Sequence, residues 1–403
     1  MISFAELESL IEPISIYERR EIELYYFMYK LTSNESTLDE FNQYYNNVLY
    51  KTSHRKIHVL RSAEIYAIAG DKDSATKILR KYRGRLEDAD QLNVFTLTQC
   101  IMGSKPEFDP LLDPHILISC AYLVPGYNPV KDFLKLDPNE RLYSQFLQEL
   151  VLNNMSDQVR KDLVEEGIRM LRRVKEEEAL ITDAISLAIA LRKMGDERYK
   201  DYLEMVNRIS ESRSELRLMK YQAFSMYHAT FNERDEMEQA FNDLMSLVEN
   251  FKKSRRAKDR ETYFTARFIL ALTSLGIYYA NKEDRYLNIA LDVYRSLESR
   301  PENTLKWSLL YSILRGVNKL ELVMSLIKDV VDQDPFNEMF LFPLVASSLS
   351  DAYINMNKDD KLIRNILSII ESYGIKIIFI KGFLKGLACR GVSRKLNVQI
   401  SFC

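Results

Sequence analysis

The most regular feature of the chain is the spacing of its apolar residues, which recur every three or four positions over most of the sequence. They form one stripe over residues 57–66 and a second over residues 75–82. This spacing is typical of α-helices that bury one face. Gly70 and Asp71 lie between the stripes, where glycine can end a helix in the left-handed conformation and aspartate can cap the next helix. The pattern therefore predicts a helical hairpin.

The same change from helix to turn recurs at Gly195-Asp196 and at Asn357, where asparagine takes the place of glycine. Six of the ten prolines fall between residues 106 and 138. Because proline is excluded from the interior of long helices, that segment predicts short helices and loops that join two lobes. We therefore divide the chain into N-terminal helical hairpins (1–105), a proline-rich joint (106–138), helical repeats (139–371) and a basic C-terminal cap or tail (372–403).

The last segment differs from the rest in charge, because no acidic residue follows Glu371. Its lysines and arginines alternate with apolar residues and are interrupted by Gly382 and Gly386. A terminal helix that caps the repeats accounts for this pattern most simply. An amphipathic segment that docks on a membrane surface or on a partner is the alternative. We assign the spacing of the two glycines to chance.

A longer pattern recurs near the carboxyl end, at a period of about one helical hairpin. Its first copy consists of Leu272, Leu275, Gly276, Tyr279, Ala290, Tyr294 and Pro301. Its second copy consists of Trp307, Leu310, Leu314, Val323, Ile327 and Pro335, and a looser third copy of Leu349, Ser350, Tyr353, Leu362 and Ile366. Repeats of this period stack into extended binding surfaces rather than closed active-site pockets.

This order of large, small and aromatic residues resembles the signature of the tetratricopeptide-repeat (TPR) family, and residues 63–79 contain another match. The resemblance implies an all-α protein, an α-solenoid of TPR-like helical hairpins that forms a right-handed superhelix. Its small residue, Gly276 here, lets the two helices of a hairpin approach closely. Tyr311 stands where a small residue is expected and Val323 replaces an alanine, so those hairpins should pack at altered angles.

In proteins of this family the first helix of each hairpin lines the concave face. The resemblance therefore implies a non-enzymatic scaffold or adaptor that binds a peptide, a helix or a partner subunit there, with no cofactor. The polar residues expected on that face are Glu64, Ser308, Ser312, Arg315, Asp351 and Asn355. These positions lack the lysine–asparagine clamp with which the best-known variant of the family grips a terminal carboxylate. A folded partner or an amphipathic segment suits such a face better.

The charge balance bears on the partner, because 56 lysines and arginines almost match 58 aspartates and glutamates. No global field therefore draws the chain toward nucleic acid. One basic run stands out as a candidate for phosphate or anion contact, and it contains Lys252, Lys253, Arg255 and Arg256. An RNA-binding helical repeat and a helical, non-catalytic subunit of an enzyme complex remain alternatives. We also expect a homo-oligomer or a larger complex, because the ends of a repeat array expose apolar surface.

Metal and catalytic chemistry find little support in the sequence. His54 and His58 have the spacing that places two imidazoles on one helix face, as zinc sites require. No cysteine or carboxylate accompanies them at helical spacing. We therefore predict no metal site, no cofactor and no catalytic residue.

The cysteines and the apolar runs indicate where the protein resides. No apolar run approaches the roughly 18 residues needed to span a bilayer, and the first residues do not resemble a secretion signal. The four cysteines lack paired metal spacing and are predicted to be free thiols of a reducing compartment: Cys100, Cys120, Cys389 and Cys403. A cytoplasmic location is the resulting prediction.

Overall fold

The computed structural model of the chain describes residues 2–33, 37–52, 55–136, 157–300, 303–332, 341–370 and 373–396. Within them every regular element is a helix, which confirms the all-α class. The chain packs as two units. Unit 1 comprises Met1–Asp137 and Val317–Cys403, and unit 2 comprises Pro138–Gly316. The first division falls at the end of the proline-rich segment, and the second falls within the predicted repeats.

Unit 1 begins with α1 (Phe4–Ile11), α2 (Ile16–Thr32), α3 (Leu38–Tyr44, continued by a π-helical turn, Tyr45–Leu49), α4 (Lys56–Ala69), α5 (Lys72–Tyr82), α6 (Ala89–Ile101), α7 (Pro114–Leu123) and α8 (Val130–Lys135). Unit 2 contains α9 (Asp157–Leu171), α10 (Glu177–Lys193), α11 (Tyr199–Arg208), α12 (Ser214–Thr230), α13 (Arg234–Lys253), α14 (Ala257–Asn281), α15 (Asp284–Ser296) and α16 (Thr304–Leu314). The chain then returns to unit 1 with α17 (Leu320–Asp332), α18 (Leu341–Asn355), α19 (Lys361–Ile369) and α20 (Tyr373–Lys395).

The α4–α5 hairpin forms where the apolar stripes predict it. Gly70 ends α4 in the left-handed conformation, with φ of 90°. Asp71 caps α5 by accepting a hydrogen bond from the backbone N–H of Ser74 at 3.1 Å. Gly195 and Asn357 are also left-handed, with φ of 74° and 56°. The predicted changes of backbone direction are therefore confirmed at all three places.

A disulfide between Cys100 and Cys120 joins α6 to α7. Both residues are fully buried. The prediction of free thiols is therefore wrong for this pair. It is also wrong for Cys389, which is disulfide-bonded as well, whereas Cys403 lies outside the described residues. Cys100 and Cys120 are 20 positions apart, and it is the packing of α7 against α6 that brings them together.

Helix α20, predicted to be a cap or a tail, is an internal helix of unit 1 that packs against α2 and α18. Phe379 and Leu387 are fully buried in these contacts. A Cβ atom at Gly386 would lie 2.8 Å from the backbone carbonyl oxygen of Ser347 on α18. The glycine thus permits α20 to pack closely on α18. A linear array, in which each repeat contacts only its neighbours, does not predict the contact between α20 and α2.

The cations of α20 contribute to this packing. Lys381 pairs with Glu21 of α2 at 2.8 Å, and Arg390 donates to both carboxylate oxygens of Asp351 on α18 at 2.5 and 3.0 Å. Ion pairs to both neighbours account for the alternation of charged and apolar residues in this helix. Among the residues that the structure describes, no helix has the length and apolar character needed to cross a bilayer.

Unit 2 consists of successive helical hairpins, in which α10 pairs with α11, α12 with α13, and α14 with α15. Helix α12 also packs against α10 and α14, and α14 packs against α16. The first helices of the hairpins therefore form one layer. Leu275, Ala290 and Tyr294 of the first predicted repeat are fully buried, as the pattern requires. Pro301 and Pro335 lie outside the described residues.

Ion pairs fix the direction in which these hairpins stack. Arg213, just before α12, pairs with Glu178 at the start of α10 at 2.6 Å. Arg192, near the end of α10, pairs with Glu233, which follows α12, at 2.5 Å. One ion pair joins the amino-terminal ends of α10 and α12, and the other joins their carboxyl-terminal ends. The two helices therefore run parallel, and the second hairpin repeats the orientation of the first.

Helix α14 continues the same arrangement. Lys258 near its start pairs with Glu215 near the start of α12 at 3.5 Å. A Cβ atom at Gly276 would lie 2.7 Å from Cε of Met226 on α12. The TPR resemblance assigns this small residue to close packing within its own hairpin. The structure instead places it against the first helix of the preceding hairpin.

Candidate partner-binding surfaces

The first-helix layer of unit 2 contains a groove of about 350 Å³ between α10 and α12, here called the first-helix groove. It is lined by Ile181, Thr182, Ile185, Ser186, Ile189, Met219, Gln222, Ala223, Met226 and Thr230. The isoleucines of α10 are buried and form the floor, whereas Met219, Ala223 and Met226 are half-buried and reach the surface. None of the lining residues is charged. Flexible methionines on an uncharged surface suit an apolar partner of variable shape.

The same face continues onto α14 and α16. Leu272, Gly276 and Tyr279 of α14 are half-buried. The hydroxyl of Tyr279 donates a hydrogen bond to the backbone carbonyl of Ser312 on α16, and its ring lies against Gly316. These contacts hold the carboxyl ends of α14 and α16 together, so the layer remains parallel across the unit.

Two of the predicted partner-binding residues lie on α16 and a third directly follows it, at the end of this face. Ser308 and Arg315 are exposed, and Ser312 is half-buried. The hydroxyl of Ser312 donates to the backbone carbonyl of Ser308 at 3.1 Å, and the Arg315 guanidinium lies 5.7 Å from the ring centroid of Tyr311. Their spacing of four and three positions places them on one side of the helix.

The other three predicted residues lie in unit 1, and their surroundings differ. Glu64 of α4 is fully buried, and its carboxylate accepts from Arg61 at 2.7 Å. Asp351 is held by Arg390, as described above, and Asn355 is exposed on the same helix, α18. A fully buried carboxylate does not reach a partner. The structure therefore gives Glu64 a place in a core ion pair, in contrast to its expected place on a binding face.

Further ionisable groups of unit 1 lie half-buried between α2, α4 and α20. Glu21 accepts from the Tyr25 hydroxyl at 3.1 Å. Burial raises the pKa of Glu21, but the hydrogen bond and charge of Lys381 together with the hydrogen bond from Tyr25 outweigh it, and the net shift of the pKa is downward. Burial lowers the pKa of Lys385, and the nearby Arg61 lowers it further. Neutralisation by direct ion pairs is typical of a structural network.

The basic run lies where α13 ends and α14 begins. Lys252 and Lys253 are in the last turn of α13, Arg255 and Arg256 follow it, and all four are exposed. Lys253 pairs with Glu249 at 3.3 Å. The other three form no ion pair with another described residue. The structure thus leaves this part of the chain with cationic groups available to an anion.

The histidines do not form a metal site in the part of the chain that the structure describes. His54 lies outside it, and His58 is buried, which lowers the pKa of its imidazole. His228 is hydrogen-bonded through Nδ1 to Glu233 at 2.7 Å. No cluster of three or more histidine, cysteine or carboxylate side chains that could hold a metal occurs among the described residues.

None of the residues that line the first-helix groove is among those predicted from the sequence to bind a partner. A signal was present, because residues 184–191 of α10 are almost entirely apolar. A helix that is apolar on most sides must be covered on more than one face. Half-exposed methionines such as Met219 and Met226 gave no comparable signal, since their spacing is that of an ordinary buried stripe.

Comparison with known proteins adds no relative to this description: no family model, no curated protein and no solved structure matches the chain.

Proposed function

We propose that the protein is a non-enzymatic interaction scaffold in which the hairpins of unit 2 are TPR-like repeats of a right-handed solenoid. Their first helices form the face that binds an apolar segment, such as a helix, of a partner protein. The observation that carries the proposal is the uncharged first-helix groove, whose half-buried methionines reach the surface of a layer of parallel helices. An amphipathic helix bound in such a groove buries its apolar face there.

A site-specific photo-crosslinker tests the proposal in the native cells. It replaces Ala223 in the groove, Ser308 on α16 or, as a control, Asp292, which is exposed on α15. We expect the first two positions to capture the same protein and the control position to capture none of it. Met219→Lys should abolish capture, because a charge in the groove opposes apolar docking. Equal capture at Asp292, or capture that survives Met219→Lys, would contradict the proposal.

A second candidate function, RNA binding, is favoured by the basic run alone. Lys252, Arg255 and Arg256 have no ion pair among the described residues, and Phe264 on α14 is 57% exposed. Exposed cations and an exposed aromatic ring on the helix that follows them can bind single-stranded RNA by charge and stacking. Binding of a labelled single strand that falls steeply with added salt, and that disappears when the three cations are changed to alanine, would establish it.

The cytoplasmic location and the homo-oligomeric state remain predictions. Thiol labelling of protein from its native cells tests the first, because the Cys100–Cys120 disulfide is expected to persist only in an oxidising compartment. Labelling of both cysteines without added reductant would favour the cytoplasm. Light scattering of the purified chain tests the second. A partner captured at Ala223 that proves to be an enzyme would assign the chain as a non-catalytic subunit.

A further inference from the structure

A second groove lies on the opposite side of α12 from the first-helix groove. Its volume is about 570 Å³. It is lined by Leu203, Asn207, Glu211, Lys220, Tyr221, Phe224, His228, Asp235, Glu236, Gln239, Ala240 and Asp243, from α11, α12, α13 and the turn before α12. We call it the acidic groove. The two grooves share no lining residue.

The acidic groove exists because one second helix does not cover the first helix that follows it. Helix α13 packs against both α12 and α14, and α15 packs against both α14 and α16. Helix α11 instead packs mainly on α10. It is joined to α12 chiefly at its carboxyl end, where Lys220 Nζ donates to the carbonyl oxygens of Asn207 and Ile209 at 3.0 Å each. The side of α12 that α11 would otherwise cover is left open.

The open side of α12 forms an aromatic floor. Tyr221 and Phe224 are both half-buried, and the Phe224 ring is stacked on His228 with a centroid distance of 6.1 Å. Such rings pack against apolar side chains and also attract the charged ends of arginine and lysine. This floor distinguishes the groove from a simple surface cluster of carboxylates.

The walls carry an excess of negative charge. Four carboxylates line the groove, from Glu211, Asp235, Glu236 and Asp243. The one lysine, Lys220, is 3% exposed and already bound to Glu211 at 3.1 Å as well as to two carbonyls. Asp235, Glu236 and Asp243 form no ion pair with another described residue. The first two lie in the first turn of α13, where the helix dipole favours them. Asp243 lies in the middle of that helix, where its carboxylate accepts a hydrogen bond from Gln239 at 3.1 Å.

We infer that the acidic groove binds a protein segment in which arginine or lysine alternates with apolar residues. The apolar side chains lie on Tyr221 and Phe224, and the cations pair with Asp235, Glu236 and Asp243. Charge complementarity selects this occupant, because every charge that the groove offers to a ligand is negative. The inference adds a second surface to the proposed scaffold and does not depend on the first-helix groove, since it uses the other side of α12.

The test measures binding of labelled synthetic peptides to the full chain by fluorescence anisotropy. The probe is a short peptide of alternating arginine and leucine. Two reference peptides carry glutamate in place of arginine or serine in place of leucine. We expect the probe to bind, the acidic peptide not to bind and the serine peptide to bind more weakly. Added salt should weaken the probe's affinity.

Two variants address the groove itself. Neutralising the walls with D235N, E236Q and D243N together should lower the affinity for the probe peptide about ten-fold. Ala240→Trp keeps every carboxylate but fills the groove, and it should lower the affinity for the probe peptide by a similar factor. A control triple variant, E176Q, E261Q and D292N, changes the net charge equally at exposed positions elsewhere in unit 2 and should leave binding unchanged.

Several results would overturn the inference. Equal loss of affinity in the control variant would show that only net charge matters. Full binding to Ala240→Trp, or equal binding of the serine peptide, would show that the groove's shape has no role. Circular dichroism melting of each variant establishes that it is folded. Crosslinking at Ala223 tests the first-helix groove, on the opposite side of α12, and peptide binding tests the acidic groove. The proposed function and this inference can therefore fail independently.

Discussion

Two junctions of unit 2 begin from the same pair of residue types and end in different structures. In each, a lysine of a first helix is followed by an aromatic residue: Lys220-Tyr221 in α12 and Lys306-Trp307 in α16. Both lysines are 3% exposed. Lys220 donates to the carboxyl end of α11, as described, and Lys306 donates to the carbonyl of Leu297, after α15, at 3.1 Å. Each lysine thereby ties a second helix to the next first helix.

The aromatic residues show how the junctions differ. Trp307 is 1% exposed and donates through Nε1 to the carbonyl of Arg300 at 3.1 Å, whereas Tyr221 is half-buried and lines the acidic groove. Helix α15, with 13 residues, covers α16, and α11, with 10 residues, leaves α12 open. A buried lysine therefore anchors the end of a helix but does not by itself close a junction. We refer to the closed junction (α15–α16) and the open junction (α11–α12).

The two junctions should differ most in the stability that is lost when the aromatic residue is removed. Trp307→Ala leaves a large cavity in the closed junction and should cost about 3–5 kcal/mol of stability. Tyr221→Ala removes a ring that is already in partial contact with water, and should cost roughly 1 kcal/mol. Urea denaturation followed by circular dichroism measures both. Similar midpoints for the two variants would contradict the distinction between an open and a closed junction.

Replacing the lysines tests what each one holds. Lys220→Met and Lys306→Met leave buried carbonyl oxygens without a donor, at a cost of about 1–3 kcal/mol. We expect Lys220→Met to increase hydrogen exchange strongly in residues 203–209, because α11 has little other contact with α12. Lys306→Met should increase exchange in residues 291–297 much less, because α15 also packs on α16.

The tryptophan provides a second measurement for the closed junction. Trp307 is the only tryptophan of the chain, so its fluorescence reports the environment between α15 and α16. We expect its emission to stay that of a buried ring in Lys220→Met. Hydrogen exchange that increases equally at both junctions, or a large red shift of emission in Lys220→Met, would show that the lysines act differently from what the contacts indicate.

The sequence predicted the helices of these junctions better than the surfaces between them. Apolar spacing and the turn at Gly195 located the hairpin helices, because burial of one face is a local property of the chain. The gap over α12 depends on where α11 lies relative to a helix that follows it, and no residue spacing records that angle. Glu64 shows the same limit in unit 1, since its burial beside Arg61 arises from packing between distant helices. The disulfide at Cys100 was missed for the same reason.

Substituting alanine for a glycine tests the packing at the far end of the first-helix layer, and the expected loss of stability is smaller. A Cβ atom at Gly316 would overlap the ring of Tyr279, which is held by its hydrogen bond to Ser312. Gly316→Ala should therefore cost about 1–3 kcal/mol of stability.

At Gly276 the nearest atoms are the flexible end of Met226, and alanine has the higher helix propensity by about 1 kcal/mol. Gly276→Ala should be close to neutral in thermal denaturation, and Gly276→Trp should destabilise through displacement of Met226. Equal losses for the two alanine variants would show that the Tyr279 contact is not rigid.

The smallest effect concerns the ion pair that joins the ends of α10 and α12, at the far end of the open junction. The hydrogen bond from Arg192 lowers the pKa of Glu233, and His228 contributes to the shift. A carboxylate whose pKa is lower in the folded state stabilises the fold above its unfolded pKa of about 4.3, and this contribution is lost as the pH falls through the folded value. Glu233→Gln should thus cost about 1 kcal/mol or less at neutral pH, and the difference from the wild type should shrink below pH of about 4. Glu261→Gln, at an exposed position with no ion pair to another described residue, should show no such trend. A deficit of Glu233→Gln that stays constant from neutral to acidic pH would mean that Arg192 does not hold α10 and α12 together through charge, and that apolar packing of α12 on α10 does so instead.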